Sequence, residues 1–203
     1  MVVAVSKGGR QMKREAIYSI FSKIPTLETE RFTLRKLSMD DTDDMYEYAC
    51  RADVTEYLTW SPHTEKSYTF EYLSYLQKRY KTGDFFDWAV VCNDTGKMIG
   101  TCGFTRFDFK NDNAEVGYVI NPEFHGRGIA TEVCGRVIRF GFENLALNRI
   151  ECRFIPQNLA SRRVMEKNGM TFEGIKREGV LVKGEHRDVG ICSILRSDFF
   201  EKK

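Results

Sequence analysis

The residues best able to do chemistry lie between Gly117 and Glu132. There a β-like run to Ile120 passes through Asn121, Pro122 and a short loop, His125-Gly126-Arg127-Gly128, into an amphipathic segment beginning at Ile129. Two glycines around Arg127 leave the backbone open, so main-chain N–H groups can come close to a ligand. A helix starting at Ile129 adds unpaired N–H groups and the positive end of its dipole. That combination suits a phosphate, but not every phosphate. Ile129 and Ala130 stand where a nucleoside triphosphate loop needs lysine and a hydroxyl residue, and Thr131 stands where a dinucleotide fingerprint needs its third glycine. Taken alone, Gly126-x-Gly128 is equally an ordinary strand-to-helix loop.

Other chemistries find less support. The three histidines, His63, His125 and His186, are 62 and 61 positions apart, which is no metal-ligand spacing, so no metal is expected. The six cysteines form no Cys-x-x-Cys pair and mostly sit in apolar runs, where they behave as small hydrophobes; no His/Asp arrangement marks Cys134 or Cys152 as a nucleophile.

The stretch His125-Gly126-Arg127-Gly128-Ile129-Ala130 resembles the pyrophosphate loop of the GNAT superfamily of acetyl-CoA-dependent N-acetyltransferases, Gln/Arg-x-x-Gly-x-Gly/Ala, with histidine in the first place. Asn158 to Met170 resembles that family's Asn-x-x-Ser helix and the turn after it. Trp60-Ser61-Pro62-His63, ahead of a charged helix, is similar to the RimJ/RimL branch, which acetylates protein N-termini such as those of ribosomal proteins. The resemblance covers about residues 27 to 200.

It implies acetyl-CoA as acetyl donor, held by the strand Tyr118-Val119-Ile120, the loop and helix start His125 to Thr131, and Asn158 with Ser161. It further implies an oxyanion-stabilising backbone amide at Val119 or Ile120, a proton-accepting carboxylate at Glu115, and Ser161 as donor to the departing thiolate, since Met165 occupies the place where many relatives carry tyrosine. Plainer roles stand beside these: Glu115 as a solvated strand-end charge, Asn158 and Ser161 as a helix cap and turn. For the acceptor, Trp60 and His63 belong to a loop overhanging the cleft, while Asp84 and Asp87 could attract an ammonium group. The acceptor is expected to be a protein N-terminal amine, with a small amine (polyamine, aminoglycoside or amino acid) or a non-catalytic acyl-CoA-binding role as alternatives.

Periodicity supplies the elements that must position these groups. Arg31 to Leu37 alternates as a first strand; Ser38 with Asp41 caps a helix to about Arg51, and Thr64 opens another to about Lys81. Phe85–Cys92, Met98–Phe107 and Ala114–Ile120 read as an antiparallel meander joined by polar turns. A helix from Ile129 to about Asn144 carries Val133, Cys134, Val137, Ile138 and Gly141 on one stripe. Strand Arg149–Phe154, helix Leu159–Asn168, strand Thr171–Lys176 and strand Glu185–Leu195 follow. The expected fold is one α/β domain, residues 25–203, with a mixed, mainly antiparallel sheet flanked by helices. Residues 1–24 precede it as a basic extension, helical from Met12 to Lys23, that packs on the domain or, in a homodimer, on a second copy; a disordered leader is the alternative.

A chain of 203 residues supports one substantial core. Its net charge of +2 arises from 31 basic and 29 acidic residues dispersed along the sequence, so no field directs it to nucleic acid. Met1 to Val5 is too short for a signal-peptide core and no stretch approaches membrane-spanning length, which points to a cytoplasmic protein without a membrane partner.

Overall fold

A computed structural model describes residues 12–201; residues 1–11, where the expected extension begins, lie outside it. Helix α1 (Arg14–Ser22) is followed by β1 (Leu27–Glu28) and β2 (Phe32–Arg35). A 3-10 turn at Met39–Asp41 then leads into α2 (Thr42–Ala49), and α3 (Ala52–Thr55) and α4 (Lys66–Thr82) come next. The meander is β3 (Asp87–Cys92), β4 (Met98–Asp108) and β5 (Asn113–Ile120). The second half runs α5 (Ile129–Asn144), β6 (Arg149–Phe154), α6 (Leu159–Lys167), β7 (Thr171–Val182), β8 (Glu185–Leu195) and α7 (Arg196–Glu201).

The eight strands form one sheet in the order β1-β2-β3-β4-β5-β6-β8-β7. Every neighbouring pair is antiparallel except β5 and β6, which the α5 crossover makes parallel. Strand alternation divides the core between two faces. Trp88, Val90, Val116, Ile120 and the α5 stripe Val133, Cys134, Val137 and Ile138 fill one; Ala89, Val91 and Met98 meet Met45, Tyr48, Leu73 and Leu76 of α2 and α4 on the other.

Local chemistry sets the ends of these elements. Ser38 and Asp41 form the reciprocal cap expected of them, although it starts the 3-10 turn before α2 rather than α2 itself. Helix α4 begins at Lys66, two residues after Thr64, because Glu65 is still extended, and it stops at Gly83, whose φ of 73° favours glycine. A Cβ at Gly83 would also stand 1.9 Å from the Tyr18 carbonyl, so this glycine admits α1 against α4. The N-terminal helix packs on its own domain: Ile17 and Phe21 are buried, and Phe21 meets the rings of Phe86, Trp88 and Phe140. Helix α1 thus shares one core cluster with the sheet and α5.

Candidate active site

Strands β5 and β6 pair at only three positions, from Asn113 with Arg149 to Glu115 with Glu151. Beyond them β5 follows β4 as far as Ile120, while β6 follows β8 as far as Phe154, and a cleft opens between the two strands. The Asn121 N–H donates to the Ile99 carbonyl at 2.8 Å, which fixes the alternation back along β5. Val119 accordingly turns its amide toward β4, whereas Tyr118 and Ile120 turn theirs into the cleft. Of the two amides expected as oxyanion donors, the one at Ile120 is open and the one at Val119 is not.

The glycine loop lies at the end of this cleft. Gly126 and Gly128 have φ values of 78° and 75°, so both need the left-handed freedom of glycine, and a Cβ on Gly126 would meet nothing within 4 Å. Gly128 caps α5 with its backbone alone, leaving the first amides of Ile129, Ala130 and Thr131 without a side-chain cap. This open, amide-lined crook fits a diphosphate.

Arg31 and Glu132 brace the crook. Arg31, just before β2, donates to the Arg127 carbonyl at 3.1 Å and pairs with Glu132 at 2.6 Å. Burial alone would raise the Glu132 carboxyl, but hydrogen bonds from Thr29 and Arg31 outweigh it and bring the net shift downward. Nothing in the local sequence marks Arg31, which lies 96 residues from Arg127. The Arg127 guanidinium lies over the Phe124 ring at 5.5 Å.

His125 turns one ring nitrogen to the protein's own strand. Its Nε2 is 2.8 Å from the Ile120 carbonyl, and since a carbonyl only accepts, that nitrogen carries a proton and is spent on the protein's own strand.

Asn158 is the N-cap of α6, its Oδ1 accepting the Ser161 N–H at 3.0 Å, so the cap-and-turn role is realised. The Ser161 hydroxyl nonetheless faces β5, where the Tyr118 hydroxyl stands 3.0 Å from both the Ser161 Oγ and its carbonyl oxygen. Burial pushes the Tyr118 phenol well up, beyond the ordinary tyrosine range. Met165, by contrast, is a core residue at 1% exposure.

Glu115 is not a free carboxylate. Arg153 reaches it at 3.1 Å and Arg106 at 3.8 Å, so two guanidiniums compensate its charge. Asp84 is also engaged: burial pushes its carboxyl up, while hydrogen bonds from Thr82 and Arg79 pull it further down, and the Arg79 Nε lies at 3.3 Å. His63 is buried, hydrogen-bonded through Nδ1 to Thr69 at 2.7 Å and ringed by Trp60, Tyr68 and Tyr72; loss of hydration lowers its pKa. His63 thus fixes the shape of the α3–α4 loop, whose half-buried Trp60 packs against the core under α2 and α4. The tip of the β7–β8 hairpin meets this region, the Lys183 ammonium donating to the Thr55 carbonyl at 2.7 Å.

An open groove of about 420 Å³ lies elsewhere, outside α5 between Glu28, Arg136, Arg139 and Lys167, and none of the loop glycines lines it. No group of three or more metal-ligating side chains occurs among the described residues, nor is any described helix long and apolar enough to cross a membrane.

A parallel pair that splays beside an amide-lined anion loop is the layout of an enzyme that transfers an acyl group from a diphosphate-bearing carrier. The family model for the acetyltransferase (GNAT) domain matches residues 31–171, and the chain belongs to that family. It is 33% identical to the uncharacterized N-acetyltransferase p20 of Bacillus licheniformis, over 86% of this chain and 98% of that protein. It is 23% identical to the Escherichia coli [ribosomal protein uS5]-alanine N-acetyltransferase, over 85% and 92% of the two. A crystal structure of a GNAT-family acetyltransferase from Bacillus anthracis superposes with a TM-score of 0.76 at 26% identity, covering 85% of this chain and 99% of that one. The protein is an N-acetyltransferase that uses acetyl-CoA.

Proposed function

We propose that this enzyme acetylates a protein N-terminal α-amine in the cytoplasm. The observation that carries the proposal is the cleft between β5 and β6, which has the Ile120 amide open on one wall, the braced glycine loop at its end and the Ser161 hydroxyl across from it. The loop amides bind the diphosphate of the acetyl donor, and Asn158 Nδ2, which has no partner among the described residues, meets the donor's amide-bearing arm. The Ile120 N–H stabilises negative charge growing on the thioester oxygen, a fixed donor where charge develops. Ser161 gives a proton to the departing thiolate, held in place by Tyr118. Glu115, with its charge compensated, ties together the last paired rung before the cleft opens and positions β5.

The choice of acceptor draws on the relative that acts on the alanine of ribosomal protein uS5, and on the fit between an α-amine, near pKa 8, and a site that need remove only one loosely held proton. The test is thiol release from acetyl-CoA with peptides carrying free N-termini, set against a panel of polyamines, aminoglycosides and amino acids. Turnover of a peptide above every small amine is the expected result. Preference for a small amine would assign the enzyme to that substrate class instead.

A further inference from the structure

The sheet face beneath α2 and α4 carries a carboxylate that no ion pair among the described residues accounts for. Strand alternation puts Asp87 on that face with Ala89 and Val91, while Trp88 and Val90 turn toward α5. Across the sheet Asp87 is in register with Gly103, and Gly103 with Gly117, so the row from the carboxylate to β5 bears no further side chain. Close approach requires both glycines. A Cβ on Gly103 would stand 2.7 Å from Asp87 Oδ1, and one on Gly117 would stand 2.8 Å from the Thr105 methyl. The carboxylate therefore lies over β4, about 4.8 Å or one strand spacing short of β5. Gly117 and Val119 of β5, beside the cleft, share this face with it.

We propose that Asp87 is the seat of the acceptor amine, receiving the substrate's ammonium group at the end of the glycine row and taking one proton from it. The neutral amine then moves along β5 from the Gly117 end of the row to the thioester held at Ile120. Its lone pair forms the C–N bond, the C–S bond breaks, and coenzyme A leaves as thiolate. Of the two protons lost by nitrogen, the first passes through Asp87 to solvent and the second ends on the thiol. This assignment rests on the acetyltransferase reading above and adds the group that meets the acceptor.

Two comparisons single out Asp87. Glu115 shares the face but is held by Arg153 and Arg106, and Asp84 is tied to Arg79 and Thr82. Among the described residues no cationic side chain offsets Asp87, which accepts the Trp88 N–H at 3.0 Å and a further bond from Thr101. An incoming ammonium would supply the missing charge. Asp87 keeps a partial opening to solvent, yet its carboxylate is enclosed closely enough that burial pushes it up to about 7, against smaller downward effects of those two bonds. A base near that value matches the task of deprotonating an α-amine. The titratable groups facing it are Tyr48 from α2 and Tyr72 and Tyr80 from α4, all driven up by burial, Tyr72 to about 12, so none of them ionises near neutrality.

The test compares wild type with Asp87→Asn and Asp87→Glu. Thiol release is followed with a peptide bearing a free N-terminal alanine and with spermidine across about pH 5.5 to 9, and binding of coenzyme A, and of that peptide to the coenzyme A-loaded protein, is followed by calorimetry. In Asp87→Asn, kcat/KM for the amine is expected to fall about 100-fold or more and to lose its rise near neutral pH. Peptide affinity should drop about 30-fold, coenzyme A affinity should hold within twofold, and Asp87→Glu should recover part of the rate. Undiminished kcat/KM with an unchanged pH profile overturns the assignment, as does a parallel loss of coenzyme A affinity, which would mark a structural role. A wild-type protein that binds coenzyme A but releases thiol with no amine overturns the acetyl-transfer reading, and this assignment with it.

Discussion

The hydroxyl of Tyr118, on the central strand, stands 3.0 Å from that of Ser161, on the helix that follows β6. The two oxygens share few protons. Tyr118 also lies 3.0 Å from the Ser161 carbonyl, which can only accept, so the phenol proton is committed there and Ser161 retains its own. Because burial makes Tyr118 a reluctant acid, it positions Ser161 more readily than it resupplies it.

Loss of the Ser161 hydroxyl should therefore slow turnover without loosening the donor. Ser161→Ala is expected to lower kcat about 10- to 100-fold, at or below the usual range for a positioned acid because a thiolate is already a good leaving group. Coenzyme A affinity should stay within twofold. Tyr118→Phe should cost less, and the double variant should match Ser161→Ala alone, since both changes act through one hydroxyl. Rates from single-turnover thiol release with calorimetric affinities check this, and additive losses would show that Tyr118 acts independently.

The loop's demand for glycine gives a second expectation. Gly128→Ala forces a Cβ onto a residue with φ 75°, at a cost of about 1 to 2 kcal/mol, and weakens coenzyme A binding by distorting the amides that meet it. Gly128→Glu adds an anion against the diphosphate and should abolish binding. Thermal shift on adding coenzyme A reports both changes; an undiminished shift in Gly128→Glu would remove the loop from the binding site.

Arg31 offers a subtler handle, because it shapes the loop from outside. Arg31→Ala breaks the pair with Glu132 and the bond to the Arg127 carbonyl. Both Arg31 and the loop are exposed, so stability should change by less than about 1 kcal/mol. Coenzyme A affinity should nevertheless fall, and should lose part of its dependence on salt. Affinity measured at low and high ionic strength separates bracing from bulk charge.

Much of the fold was legible in the residues, and the reason lies in how local each signal is. The stripe on Ile129–Asn144 and the alternation of Arg149–Phe154 repeat within a few residues, and those elements occur with the expected bounds. The reach of Arg31 to the loop, the pairing of Tyr118 with Ser161 and the guanidiniums on Glu115 join distant segments, for which no spacing rule exists. Strand β7 runs on to Val182, past the expected Lys176, because most of its residues are exposed on both faces and leave no polar-apolar alternation to follow. His63 carries the opposite lesson. A histidine beside aromatic residues on an overhanging loop reads as a binding group, yet aromatic neighbours also suffice to bury it.

Asp87 should leave its mark on stability as well as on rate. Burial raises its folded-state pKa from the ordinary 3.8 to about 7, so between those values the folded protein holds a proton that the unfolded chain has released. The contribution of Asp87 to stability is then greatest below about pH 4, declines as pH rises toward about 7, and levels off above. At about 1.4 kcal/mol per unit of displacement, the full effect is a few kcal/mol, reduced by the partial opening to solvent. Asp87→Asn carries no such cost and should raise Tm relative to wild type at about pH 8, the gain shrinking toward pH 4. Thermal melts of the two proteins at both ends of that range decide the matter, and an equal gain at both would mean that ionisation is not its source.

The N-terminal helix provides the last expectation. Phe21 is fully buried and touches the rings of Phe86, Trp88, Phe104 and Phe140, which belong to β3, β4, α5 and the turn before β3. Truncating such a side chain removes its transfer energy and leaves a cavity that ring neighbours fill poorly. Phe21→Ala is therefore expected to cost about 3 to 5 kcal/mol, a large share of the stability of a single domain. Tyr18→Ala, at a half-buried position against Phe86 and Phe109, should cost less. Urea melts measure both. A Phe21→Ala penalty under about 1 kcal/mol would mean that α1 detaches without disturbing the sheet, and that the domain proper begins near Pro25 after all.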